Sequence, residues 1–219
     1  MAATGAGMLA ASRGALALPA AQRADIRAGD TVRAVGTPAL GRFAVFTTDL
    51  GSLYAVCGAT VTLAALGRRE MAAEVAAVGA AGWLISQASK TSVRRQRPYE
   101  AQGTARLIRP PTGTSFPSGH AAVATAVGAV LARQPPWPVG AALLGSLGPY
   151  VALSRVYVGV HYPTDVVGGA GLGLLLAAAW RGRLARGGNG AVARVAGGLR
   201  RLRAPAWRMA RAVVIGRRR

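Results

Sequence analysis

Residues 90–120 read KTSVRRQRPYEAQGTARLIRPPTGTSFPSGH, and residues 154–165 read SRVYVGVHYPTD. These two polar stretches interrupt an otherwise apolar chain, so their placement decides how the chain is threaded. They hold the single lysine, Lys90, and both histidines, His120 and His161, of a 219-residue protein. Of 27 Lys and Arg residues all but one are Arg. A lone Lys in such a chain marks a position where a compact ammonium is wanted in place of the planar guanidinium fork. The two imidazoles, each beside a helix-start signal and a basic residue, are functional candidates on the same grounds.

Working outward, the chain is 52% hydrophobic with only 5% aromatics, so Ala, Val, Leu and Gly supply its apolar matter. Small residues of this kind let helix backbones approach closely inside a membrane. Apolar runs long enough for a crossing, at about 20 residues each, are expected over residues 43–66, 71–89 and 163–180. Shorter companions lie over 118–132 and 137–153. The fold expected is an all-α integral membrane bundle of five transmembrane helices. Asp49 falls inside the first run and is expected at its outer end or facing the bundle.

Two crossings separate the loop at 90–117 from the loop at 154–162, so both are expected on one membrane face. The Arg-rich tail leaves from the other. From Arg181 to Arg219 there are 12 arginines and no acid, which the positive-inside rule assigns to the cytoplasm, with anionic lipid headgroups as counter-charge. The two motif loops then face the extracytoplasmic side. The N-terminus would share that side, against the same rule, because Arg13, Arg23, Arg27, Arg33 and Arg42 precede the first run. Three regions follow: an N-terminal arm, interfacial or partly disordered (1–42), a membrane domain (43–180) and a cytoplasmic tail (181–219).

A net charge of +20 raises nucleic acid as a partner, but no aromatic-interleaved basic motif accompanies it, and that class is set aside. Cys57, the one cysteine, lies in an apolar run and is expected as a small buried hydrophobe with no disulfide partner in the chain. Near-exclusive Arg use and the Ala and Gly load suggest a bacterium of high GC content.

The loops bring Lys90, Arg97 and Arg155 to one face. Three converging cations suit a multiply charged anion, and phosphate matches the Arg fork and the Lys point charge. Arg94, Arg95, Arg106 and Arg109 are expected to be solvated or to face headgroups. Ser118 fits an N-cap, and Gly119 allows an anion to approach the backbone N–H groups at a favourable helix terminus. His120 in that first turn makes sense when an anion sits there. Asp165, four residues beyond His161, can accept from one ring nitrogen, fix the tautomer and leave the other nitrogen free to attack. His161 is then the neutral nucleophile and His120 the protonated donor to the departing oxygen. No carboxylate cluster suited to a metal accompanies them, so neither metal nor cofactor is expected.

Taken together and in order, K-x6-R-P at 90–98, P-S-G-H at 117–120 and S-R-x5-H-x3-D at 154–165 resemble the three signature motifs of the type 2 phosphatidic acid phosphatase (PAP2) superfamily. The resemblance covers about half the chain and implies a PAP2/haloperoxidase-like helical core. It implies phosphate binding by Lys90, Arg97, Ser118, Gly119 and Arg155, a phosphohistidine at His161 held by Asp165, and acid then base duty for His120. Membrane members usually have six spans, so residues 1–42 could hide a degenerate first helix. The expected function is dephosphorylation of a polyprenyl or glycerolipid phosphate or diphosphate in a bacterial cell membrane. The alternatives are a vanadate-dependent haloperoxidase-like enzyme, and a non-catalytic lipid-binding membrane protein.

Overall fold

The computed structural model describes residues 1–133 and 138–185, and every regular element in them is helical. In chain order the helices are α1 (Ala2–Ala15), α2 (Pro19–Ala34), α3 (Pro38–Thr47), α4 (Leu53–Ala65), α5 (Arg69–Lys90), α6 (Pro98–Ala101), α7 (Gly119–Leu131), α8 (Pro138–Gly145), α9 (Leu147–Tyr157) and α10 (Pro163–Ala185). A short 3-10 turn, Thr48–Gly51, joins α3 to α4.

The helix at the centre is α7, whose sequence GHAAVATAVGAVL is apolar on every side. Such a helix is stable only when surrounded, and its residues from Ala121 through Gly128, with Val130, are buried. It packs against α5, α9 and α10. The approach of α10 depends on a missing side chain, since a Cβ on Gly169 would lie 2.3 Å from the Ser118 carbonyl oxygen. Toward the other end of α7, Val56, Val75, Val78, Val123, Val127 and Val130 form a core cluster, with Leu63, Leu147 and Trp180 packed on it. Large apolar side chains point the other way too. Phe46, Tyr54, Val61, Leu84 and Leu143 are exposed on the outside of the bundle, the arrangement expected where hydrocarbon is the solvent.

Among the described residues, three helical stretches are long and apolar enough to cross a membrane: Arg69–Lys90, Pro138–Tyr157 and Pro163–Arg181. A fourth crossing is reached if the bent pair Pro38–Gly51 and Leu53–Ala65 counts as one. Length and apolarity among the described residues thus account for three or four of the five spans expected. The stretch expected as one span over 43–66 is bent by 69°. The bend has a local cause, because Ser52 starts a new helix by accepting from Ala55 N–H at 3.2 Å. The helix beginning at the PSGH sequence has 13 residues. At about 1.5 Å per residue it reaches about 20 Å, short of a hydrocarbon core of about 30 Å.

Residues 1–42, expected as an arm, hold α1, α2 and the start of α3. α1 lies along α10, where a Cβ on Gly5 or on Gly171 would come within 2.7 Å of the other's carbonyl oxygen. Its 14 residues span about 21 Å, too little for a sixth crossing. Cys57, expected to be buried, is exposed, because only one side of α4 meets α5 and Cys57 lies on another. The basic tail expected over 181–219 falls outside the described residues from Arg186 onward.

Gly169→Val should destabilise the protein by about 1–3 kcal/mol, since backbone must move to admit the side chain. Gly58→Ala, in α4 with nothing within 4 Å of the added carbon, should stabilise it by about 0.5–1 kcal/mol through helix propensity. Thermal unfolding in detergent micelles measures both, and equal effects would refute the close α7–α10 crossing.

Candidate active site

The loop after α5 folds back over the bundle. Its backbone is tied at Arg95, whose carbonyl accepts from Ser115 N–H at 2.8 Å, and at Leu107, whose N–H donates to the Val158 carbonyl at 3.1 Å. The PSGH sequence is tied to the start of α10 by Ser118 N–H donating to the Asp165 carbonyl at 2.9 Å. Two polar loops far apart in sequence thus close over the N-terminal ends of α7 and α10.

Asp165 is completely buried and accepts hydrogen bonds at both oxygens. Its Oδ2 accepts from Ser115 Oγ at 2.5 Å and from Tyr162 N–H at 2.8 Å, while Oδ1 accepts from Arg95 Nη1 at 2.7 Å. His161 is also buried, with Nδ1 3.5 Å from Asp165 Oδ2. That separation is long for a formed hydrogen bond, and Nδ1 has no other partner. The carboxylate therefore faces the ring at the outer limit of hydrogen-bond distance.

The other ring nitrogen, Nε2, lies 3.2 Å from Arg97 Nη1. A guanidinium can only donate, so Nε2 is the acceptor and the ring proton belongs on Nδ1, toward Asp165. The pair of neighbours selects the tautomer that carries its lone pair on Nε2. Burial pushes the His161 imidazole down to about 3, and the Arg97 and Arg155 charges act in the same direction against the pull of Asp165. The ring is neutral at ordinary pH.

Arg97 also ties the backbone of the two loops together. Its Nε donates to the Gly113 carbonyl at 3.0 Å, Nη2 to the Thr112 carbonyl at 3.2 Å and Nη1 to the Val160 carbonyl at 2.9 Å. It clamps the two loops around His161 while keeping its charge at the ring.

His120, in the first turn of α7, places Nε2 3.3 Å from Asp49 Oδ1, and Arg155 Nη1 lies 3.4 Å from the same oxygen. Arg155 Nη1 also donates to Thr48 Oγ1 at 3.2 Å, and Thr48 Oγ1 lies 3.0 Å from Ser154 Oγ. The guanidinium is buried and its Nε lacks a protein partner. Arg155 and His120 thus meet at one oxygen of Asp49, and Arg155 sits in the last turn of α9, six residues before His161. Lys90, at the end of α5, lies over the loop at Gly113, with Nζ 3.8 Å from where a Cβ there would be.

Ser118 is buried and caps α7, its Oγ accepting from Ala121 N–H at 3.4 Å. Gly119 has a packing reason for its missing side chain, because a Cβ there would lie 2.8 Å from Ser86 Oγ on α5. All eight residues singled out in the sequence thus lie at the loop-covered ends of α5, α7, α9 and α10.

One expectation is corrected. Arg95 is not a solvated or headgroup-facing charge: it bridges Asp165 and Asp25, the latter at 2.6 Å, and stacks on the Tyr162 ring 3.8 Å from its centroid. Burial would lower the Arg95 pKa, but the two carboxylates prevail and raise it. Arg94 to Arg97 is a basic run, and nothing local separates the structural Arg95 from the exposed Arg94. Asp25, Asp49, Thr48 and Ser115 were not singled out as site residues either. The available signal was scarcity, since the chain has only seven acidic residues.

A family model described as PAP2 superfamily matches residues 71–186. The chain is 44% identical over 96 residues, 42% of its own length and 51% of the relative's, to a decaprenylphosphoryl-5-phosphoribose phosphatase of Mycolicibacterium smegmatis. It is 37% identical over 92 residues, 41% and 44% of the two chains, to an undecaprenyl-diphosphatase of Sulfolobus acidocaldarius. The chain thus spans about half the length of the curated relatives it matches. Among solved structures, the transmembrane PAP2-type phosphatidylglycerolphosphate phosphatase of Bacillus subtilis superposes with a TM-score of 0.70 at 25% identity, covering 84% of this chain and 96% of that one.

A histidine held neutral when folded, with an ordinary pKa near about 6.5 when unfolded, leaves the folded state with fewer bound protons between those values. Its contribution to stability is full above about pH 6.5 and is lost as pH falls toward about 3. The melting temperature in detergent should therefore drop on acidification, and less steeply in His161→Asn. Parallel slopes for the two proteins would show that this ring is not a source of the acid sensitivity.

Proposed function

The chain belongs to the PAP2 superfamily, and from that premise we propose that it is a membrane phosphatase that dephosphorylates a lipid phosphate or diphosphate through a phosphohistidine. The observation that carries this reading is the pairing at His161: a donor-only Arg97 on Nε2 and a buried carboxylate on the Nδ1 side leave a neutral ring with its lone pair at Nε2. Lys90, Arg97, Arg155 and the α7 N-terminus at Ser118 and Gly119 hold the phosphate oxygens and take up charge as it shifts in the transition state. His161 Nε2 attacks phosphorus, the bond to the lipid oxygen breaks, and His120 delivers its proton to that oxygen. His120 then takes a proton from water, which releases phosphate from His161.

The names of the relatives support a polyprenyl phosphate or diphosphate as substrate, with a glycerolipid phosphate as the other class. The apolar outer surface of the bundle suits a lipid tail beside a charged headgroup. We place the protein in a bacterial cell membrane with the site on the extracytoplasmic side, the basic tail in the cytoplasm against anionic lipids, and no nucleic acid partner. The residues of the site need no metal to complete the charge balance just described.

Purified protein should release phosphate from prenyl phosphates in the presence of EDTA, and His161→Ala should reduce that release by at least about 10³-fold, the scale for loss of a nucleophile. Release that survives His161→Ala unchanged would refute the phosphohistidine. Release that EDTA abolishes would refute the metal-independent balance.

A further inference from the structure

The sixth position of the loop motif, Arg95, creates a problem that a distant helix solves. Arg95 binds Asp165 Oδ1 through Nη1 at 2.7 Å. A carboxylate and a guanidinium together carry no net charge. Yet attack through Nε2 turns the His161 ring into a cation, and a neutral pair gives such a cation little support in a buried site. Asp25 on α2 changes the count. Its buried carboxylate accepts from Arg95 Nη2 at 2.6 Å, from Thr164 N–H at 2.9 Å and from Thr164 Oγ at 2.6 Å. Thr164 Oγ accepts from Arg95 Nη1 at 2.7 Å. Asp25, Arg95 and Asp165 therefore form one buried cluster with a net charge of −1. Lys90, Arg97 and Arg155 do not cancel it, because the two negative charges of a phosphate monoester and the Asp49 carboxylate on Arg155 answer theirs. α2 also lies outside residues 71–186, the part matched by the family model.

We propose that Asp25 is a positioning residue of the phosphoryl-transfer centre, which by occupying one side of Arg95 leaves Asp165 with an uncompensated negative charge facing His161. This rests on the phosphohistidine reading. As the Nε2 lone pair forms the bond to phosphorus, the bond to the leaving oxygen breaks and its electron pair departs with that oxygen, which takes the proton from His120. The Nδ1 proton stays on the ring, and the cluster meets the positive charge that results. N-terminal helix α2 is thereby part of the reaction centre, although no α2 residue touches phosphate.

The test uses the full chain in detergent micelles with farnesyl monophosphate as substrate and inorganic vanadate as a probe of the anion pocket. Asp25→Asn keeps the shape and can still accept from Thr164 N–H. It should lower kcat by about 10-fold to 100-fold, the usual range when an outer carboxylate behind a functional histidine is lost. KM and the vanadate inhibition constant should stay within about twofold, since the three cations are untouched. Asp25→Asn combined with Arg95→Gln restores the net charge to −1 and should be more active than Asp25→Asn alone. A purely structural role predicts the opposite order, with the second substitution adding damage. Unchanged kcat in Asp25→Asn, or a double variant no better than the single one, overturns the proposal while leaving the phosphatase reading intact. Wild-type protein that releases no phosphate, or His161→Ala that releases it normally, removes the premise and the proposal together.

Discussion

A single buried carboxylate organises the reactive end of this protein. Asp165 accepts from Ser115, from Tyr162 N–H and from Arg95, and its remaining open direction faces His161. Burying an ionised carboxylate is costly unless it is paired and hydrogen-bonded, so the loops that supply these donors are held where the carboxylate needs them. The same contacts anchor the loop after α5, the turn before α10 and helix α2. Position of the His161 ring and closure of the loops are consequently one event rather than two.

The membrane bundle serves this arrangement by being built from small residues. α7 is a Gly, Ala and Val helix that brings its capped N-terminus to the site only because α10 can press on it at Gly169 and the Thr48–Gly51 turn can press on it at Gly51, where a Cβ would lie 2.4 Å from the His120 carbonyl oxygen. The break between α3 and α4 acquires a purpose in the same way. It sets Thr48 against Arg155 and Asp49 between Arg155 and His120, a position that a straight helix through residues 43–66 could not provide. Asp49 is exposed and shares one oxygen between Arg155 and His120.

Arg95 and Arg97 illustrate how much neighbouring residues of one type can differ. Both lie in the run RRQR, and both are buried to a large extent. Arg97 spends its donors on backbone carbonyls and the ring of His161, whereas Arg95 bridges carboxylates from two distant helices. Long, adaptable side chains take the partners that folding delivers, and a basic run holds no record of which member receives which.

The sequence by itself determined that this is an apolar helical protein of small residues, that its rare Lys and His residues gather in two loops, and that these match one phosphatase signature. Those facts are local, written in composition, in spacing and in helix-start residues. The tertiary structure alone decided that residues 43–66 bend, that 1–42 fold onto the bundle, and that Asp25 and Arg95 join Asp165. The reason is that a charged side chain's role depends on which opposite charge and how little water surround it, and both are set by chain segments as much as 140 positions away, as in the Thr164–Asp25 contact with a separation of 139.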